Sequence, residues 1–361
     1  MSPSTVLVTG VSRFVGAELA ARLAADTAID RVLGVDAVRP SADLLRRMGR
    51  AEFVPVDLRN PLIAKVISAA RVDTVVHASI SASPRDSGGP NSGLKYGSRS
   101  ARSTMKELNV IGTMQLLAAC QKSTTVARLV VKSTGAVYGA SSRDPAVFTE
   151  NDQPQDLPVS GYAKDAVEIE GYLRGFARRR PDVDVTVLRF TNVVGPRIDT
   201  ALTRYFSLPV VPTVLGYDGR VQLLHEEDAL AVLERASRVR RAGVFNVAGD
   251  GVLLLSQAIR RVGRIAVPLP VPMVGPSVTA VGWLLRSVRL VDYSPEQSRF
   301  LSFGRVLDTT RLRTEFGFVP RWTTVQAFDD YVRGRALRPT ADPKWADVAQ
   351  RGLLALAARL R

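Results

Sequence analysis

An apolar run, Thr5–Thr9, leads into Thr9-Gly10-Val11-Ser12-Arg13-Phe14-Val15-Gly16 and then into a stretch with helical spacing. Glycines in such a turn let backbone amides approach a pyrophosphate held at a helix N-terminus. A turn with two glycines is a weak signal alone. Asp36 strengthens it: it ends a second β-type run, 20 residues past Gly16, where a carboxylate would grip both hydroxyls of a ribose. The plainer reading of Asp36 is a strand-end cap. Val56-Asp57-Leu58 offers a second acidic turn, after a third strand, from which a side chain would reach an adenine.

Further segments follow in order: Val75-Val76-His77-Ala78-Ser79, Asn109-Val-Ile-Gly-Thr113, Ser133-Thr134-Gly-Ala-Val-Tyr-Gly139 and Arg189-Phe-Thr-Asn-Val-Val-Gly-Pro196. Taken as an ordered set from about residue 5 to 320, the sequence resembles the extended short-chain dehydrogenase family, which includes sugar-nucleotide epimerases and dehydratases. The resemblance implies a doubly wound parallel α/β sheet of Rossmann type with a smaller C-terminal substrate lobe. It also implies a nicotinamide dinucleotide touched by Gly10, Arg13, Phe14, Val15, Gly16, Asp36, Asp57, Leu58, His77, Ala78, Ser79, Asn109 and Lys164. Arg13 stands where extended members usually have Gly, and in shorter members such an Arg meets the 2′-phosphate of NADP. Asp36 would repel that phosphate, so NAD is expected over NADP. Many members are homodimers, and a homodimer is implied here.

Members of the family use a Ser or Thr, a Tyr and a Lys, the last two spaced i and i+4. A phenol titrates near 10 in model peptides, so a neighbouring ammonium is needed to bring proton exchange toward neutrality. Matching on Val137-Tyr138-Gly139 gives Thr134 the role of holding the substrate oxygen and Lys164 the role of the ammonium. Four residues before Lys164 stands Ser160, whose hydroxyl is too weak an acid for the phenol's work. Tyr162, two residues from Lys164, falls about 200° around an ideal helix. A helix start distorted by Pro158 and Gly161 would swing it inward, so the catalytic set is Thr134, Lys164 and Tyr162. His77 and His225, the only two histidines, match structural positions.

Ser133, Thr134, Asn192 and Arg197 are the substrate-side candidates. Gly135-Ala136 replaces the Asp-Glu of dehydratases, which disfavours sugar dehydration, and Val221 occupies a position where UDP-sugar epimerases carry Arg. The apolar segment 265–291, broken by four prolines, suits a lipid-like, hydrophobic ligand at least as well as a sugar nucleotide. Two functions therefore stand open: hydride transfer on such a substrate, or a catalytically degenerate NAD(H)-binding protein with a partner-binding or membrane-surface role.

The elements that would hold these residues alternate. Thr5–Thr9, Arg31–Asp36, Thr74–His77, Leu129–Lys132 and Val183–Phe190 read as strands, with helical spacing over Val15–Ala25, Pro61–Ala70, Met105–Cys120 and Tyr162–Arg179. Near-continuous apolar strands between helices predict a parallel sheet covered on both faces. The expected organisation is a dinucleotide-binding core over 1–190, with 220–248 returning to it, a substrate lobe over 191–219 and 249–335, and a basic amphipathic tail over 336–361. The Ser-, Gly- and Arg-rich stretch 81–103 reads as a loop.

Net charge is +15, yet only seven of the 49 basic residues are Lys and no zinc or helix-turn-helix pattern accompanies them. Nucleic-acid binding is not expected, nor is a metal site. The lone Cys120 lies in an apolar helical stretch and reads as a buried thiol. No signal peptide or apolar run long enough to span a bilayer is visible, so a cytoplasmic protein is expected. Its tail packs on the body or, in the sharper alternative, lies peripherally on a membrane.

Overall fold

Apolar runs rich in β-branched residues become the central strands of a seven-stranded, all-parallel sheet, buried on both sides with no wet face to alternate against. The edge strand Glu52–Pro55 is only partly covered. The computed structural model of the protein describes residues 4–81, 104–155, 158, 161–269 and 295–340. In chain order the first half comprises β1 (Thr5–Thr9), α1 (Phe14–Ala25), β2 (Arg31–Asp36), α2 (Ala42–Arg47), β3 (Glu52–Pro55), α3 (Leu62–Ala69) and β4 (Thr74–His77). A π-helical turn (Glu107–Ile111) then runs straight into α4 (Gly112–Lys122), followed by β5 (Arg128–Thr134), a 3₁₀ turn (Gly135–Tyr138), α5 (Gly161–Arg179) and β6 (Asp184–Phe190).

The second half opens with β7 (Asn192–Val194), α6 (Ala201–Ser207), β8 (Val210–Val214), β9 (Arg220–Val221), β10 (Leu223–His225), α7 (Glu226–Arg238) and β11 (Gly243–Val247). It continues with β12 (Leu253–Leu254), α8 (Leu255–Arg261), β13 (Ile265–Leu269), α9 (Pro295–Phe303), β14 (Gly304–Arg305), α10 (Thr310–Thr314) and α11 (Thr324–Gly334).

The large sheet runs β3-β2-β1-β4-β5-β6-β11. Val6, Val8, Val76, Val130 and Leu188 face α1 and α7 on one side; Leu7, Val75, Leu129, Val131, Val185 and Val187 face α3, α4 and α5 on the other. A third apolar cluster joins Val194 to α6, β8, α8 and α11 through Leu202, Phe206, Val211, Ile259 and Phe328. The stretch 220–248 rejoins the core only in part. Helix α7 packs on the sheet and β11 extends its edge beside β6, but β9 pairs with β12 and β14, and β10 with β7.

The strand order reverses between β1 and β4, so the ligand crevice of such a sheet opens at the carboxyl ends of those strands. Cys120 is fully buried in α4, and burial pushes its thiol up to about 12. No described helix is long and apolar enough to cross a membrane.

Candidate cofactor and active site

The turn after β1 requires its glycines. Gly10 has φ +80°, and a Cβ there would lie 2.8 Å from Ser79 Cα; a Cβ on Gly16 would lie 2.3 Å from the Gly10 carbonyl oxygen. The backbone is thereby cleared in front of the α1 N-terminus, which is the cradle a pyrophosphate needs. Arg13 is extended (φ −115°) at the helix start, so its position imposes no glycine. Its guanidinium donates to the Ser79 carbonyl at 2.6 Å, crossing from the β1 turn to the β4 turn. Phe14 begins α1 with its ring under the Arg197 guanidinium (4.9 Å), and Val15 is buried in the core beside it.

Asp36 closes the other side of the crevice. Its Oδ2 accepts from the Ser12 amide (3.0 Å) and hydroxyl (2.7 Å), and its Oδ1 from the Val38 amide at 3.3 Å. It is both a strand-end cap and a fixed carboxylate at the mouth of the turn. Two oxygens offer about four lone-pair sites, so acceptor capacity remains for ribose hydroxyls. The cradle and this carboxylate fit a dinucleotide.

The next candidates are more constrained than the sequence implied. Arg59 grips Asp57 in a fork at 2.6–3.0 Å and holds its carboxyl below the usual carboxylate range. Leu58 is buried, packed where a Cβ on Gly112 would come within 3.3 Å. His77 is fully buried: one ring nitrogen meets Thr9 Oγ1 and the other Thr113 Oγ1, both at 2.9 Å. Both ring nitrogens are thus engaged within the protein. Burial, with lesser help from the charges of Lys132 and Arg13, brings its pKa down to about 3. The Ala78 amide donates to Thr9 Oγ1, and the Ser79 hydroxyl meets the same Thr9 and His77 atoms. Asn109 lies in the π-helical turn, a distortion common at functional sites. Its amide bonds both backbone groups of Ser81 and reaches Asp165 Oδ2 at 3.4 Å.

Helix α5 is locked in rotation by a buried ion pair. Arg189 on β6 binds Glu170 through Nη2 (2.6 Å) and Nε, and the Ser133 hydroxyl donates to Glu170 Oε1 at 2.6 Å. Ser133 thereby ties the end of β5 to the helix. The same guanidinium donates to the Tyr138 hydroxyl (2.7 Å), which donates to Asn246 Oδ1 at 2.8 Å. Burial pushes Tyr138 up to about 12. With Glu170 turned inward, Ala163 and Ala166 follow it into the core, Tyr162 is half-buried against the apolar cluster on the α4–α5 side, and Lys164 is exposed.

Lys164 is exposed on α5. At two residues from Tyr162 it takes the opposite side of the helix. The chain enters α5 through Gly161 at φ +89°, a conformation suited to glycine. Thr134 ends β5 half-buried, with its Oγ1 accepting from the Ala136 amide at 3.1 Å.

On the substrate side, Asn192 is half-buried and opens β7 opposite Leu223. Arg197 is engaged by Glu226 (3.0 Å), Glu18 (3.4 Å) and Glu227 at the start of α7, so its charge is already matched. His225 caps α7 through Nδ1, stacks on Trp322 and meets Asp330 at 3.1 Å. Ser160, residues 82–103, 270–291 and the tail from 341 lie outside the described residues. Among those described, no cluster of three or more His, Cys, Asp or Glu would hold a metal. Sequence reasoning missed Glu170, Arg189 and Tyr138; the available signal was the apolar and acidic face of α5, on which Glu170, not Glu168, shares a side with Ala163 and Ala166.

The sheet order from β3 to β6, the glycine cradle and the carboxylate ending β2 together define a dinucleotide-binding protein of the doubly wound class. More narrowly, the chain belongs to the NAD dependent epimerase/dehydratase family, whose sequence profile matches residues 6–248. NAD is the cofactor of that family. An uncharacterized protein of Mycobacterium tuberculosis is 53% identical over 341 residues, covering 94% of this chain and 86% of its own length. A protein named as a UDP-arabinose 4-epimerase in Arabidopsis thaliana is 30% identical over 197 residues, 53% of this chain and 41% of that one.

Among solved structures, UDP-glucose 4-epimerase of Thermotoga maritima with UDP-glucose superposes with a TM-score of 0.68 at 20% identity, covering 91% of this chain and 98% of that one. UDP-glucuronic acid 4-epimerase of Bacillus cereus, with UDP-glucuronic acid and NAD, gives 0.68 at 17% identity over 92% and 99%. These likenesses establish a shared fold.

Proposed function

We propose that the protein is a sugar-nucleotide epimerase or oxidoreductase in which Tyr162, not Ser160, is the acid–base group and Thr134 orients the reacting oxygen. The observation that carries this reading is the rotation of α5. With the Glu170–Arg189–Ser133 contacts inward, Tyr162 is half-buried and Lys164 exposed. In this reading the phenol of the site is Tyr162, two residues beyond Ser160. Bound nicotinamide would supply a reversible hydride acceptor. Tyr162 would exchange the hydroxyl proton of the substrate, and Thr134 would hold the oxygen as carbon changes between alcohol and carbonyl. The UDP-sugars bound by the structural neighbours support a sugar nucleotide as the substrate class.

A second reading keeps one observation of its own. One turn beyond Tyr162, where the family's spacing would set the ammonium, stands Ala166, buried among apolar side chains. That favours a protein that binds NAD(H) without turning it over. The two are separated by incubating the protein and NAD with UDP-glucose, UDP-galactose, UDP-arabinose and UDP-glucuronic acid, and following sugar interconversion and absorbance of reduced nicotinamide. Turnover that falls by about 100-fold in Tyr162→Phe but persists in Ser160→Ala supports the enzyme reading. No turnover across the panel, with NADH bound, leaves the binder.

A further inference from the structure

The N-terminus of α1 opens on the crevice without a cap of its own. Its N-cap residue, Arg13, makes no capping bond with its side chain, and the first turn holds no acidic residue. Such an end carries a partial positive charge that suits a pyrophosphate. Carboxylates nevertheless gather close by. Glu18 lies one turn along α1 from Phe14, and Glu226 and Glu227 open α7, which packs with α1 on the same face of the sheet.

Arg197 stands among these acids. It follows β7 through Gly195, where a Cβ would lie 2.3 Å from the Glu226 carboxyl, so only glycine lets that carboxylate come so near the backbone. Glu226 is 1% exposed and accepts from the amides of Arg197 (3.1 Å) and Ile198 (2.8 Å) and from Arg197 Nε at 3.0 Å. The loop is thereby pinned to the start of α7, and the guanidinium reaches onward from that anchor. Its Nη2 meets Glu227, its Nη1 meets Glu18 at 3.4 Å, and its central carbon lies 4.9 Å from the centroid of the Phe14 ring. Arg22, a further turn along α1, takes the other oxygen of Glu227. Without Arg197, the three carboxylates would be left to Arg22 and to Arg47, which is 4.0 Å from Glu18. The local field would then turn against an anion at the α1 N-terminus.

We infer that Arg197 is a positioning residue for the cofactor. It holds Phe14, the first residue of α1, against α7 and offsets Glu18, Glu226 and Glu227 beside the pyrophosphate cradle. It acts through that ring and those carboxylates.

NADH binding to the purified full chain, read by nicotinamide fluorescence at low salt without substrate, tests it, with ADP and adenosine as displacing ligands. Arg197→Met is expected to weaken NADH and ADP by at least about fivefold and adenosine by less than about twofold, because adenosine alone lacks the pyrophosphate. Arg197→Lys keeps the charge and is expected to recover part of the loss. If Arg197→Met does not fold, Arg197→Gln is held to the same criteria. No turnover is involved, so the outcome is independent of the role given to Tyr162. A folded variant that loses less than about fivefold for NADH overturns the assignment. So does an equal loss for ADP and adenosine, which would mean that the whole crevice is disturbed, or a Lys variant as weak as the Met variant.

Discussion

Tyr162 and Lys164 are two positions apart on α5, and a helix sends such positions to opposite sides. One ion pair, at Glu170, decides which of them faces the protein. Lys164→Met is accordingly expected to change NADH affinity by less than about twofold, the opposite of what the Tyr–Lys spacing alone implies. A loss of about tenfold would return Lys164 to the crevice. Asp36 carries a second prediction at the same scale. Its oxygens hold Ser12 and Val38 while facing the ribose position, so Asp36→Ala should weaken NADH by about tenfold and shrink the preference over NADPH. The NADH-to-NADPH affinity ratio checks this; an unchanged ratio would mean that another group sets the preference.

At the scale of elements, the buried triad of Glu170, Arg189 and Ser133 fixes α5 against β5 and β6. Its partners are nearly inaccessible, so removing one leaves an unmatched buried charge. Arg189→Met should cost about 3–5 kcal/mol in urea unfolding, and Ser133→Ala about 1 kcal/mol. If Arg189→Met costs no more than Ser133→Ala, the pair is not what holds the helix. This contact also marks the limit of the sequence. The strands of the core were legible because burial on both faces writes an uninterrupted apolar run into each. The cofactor turn was legible because Gly10 and Gly16 answer clashes within a few residues of chain and one neighbouring strand. The rotation of α5 was not, since it depends on an arginine of the next strand. Helix α2 escaped notice for the opposite reason. It is six residues long, half-buries only Leu44 and Leu45 against the core and leans on the Ser41 cap, so it is too short to carry an apolar period.

Across the whole molecule, arginines form ion pairs such as Arg31–Glu52, Arg59–Asp57 and Arg197–Glu226, while one uncharged base is sealed at the centre of the sheet. His77 joins β4 to Thr9 on β1 and Thr113 on α4, and folding holds it neutral down to about pH 3. In an unfolded chain the same ring takes up a proton near pH 6.5. Above that pH neither state binds the proton and His77 contributes no pH dependence. Below it the unfolded chain is protonated and the folded one is not, so stability falls by about 1.4 kcal/mol per pH unit until the folded value is reached. The contribution is therefore fully present above pH 6.5 and is lost as pH falls toward 3. Urea unfolding at pH 7.5, 6.0 and 5.0 isolates it when the protein is compared with His77→Asn, because the other titrating groups are common to both chains and cancel. The variant should be the less stable at pH 7.5, having lost the threonine contacts. The gap should narrow by about 2 kcal/mol by pH 5 as the parent alone pays for an unprotonated imidazole. A gap that stays constant over this range would mean that the ring is protonated, or exposed to water, in the folded protein.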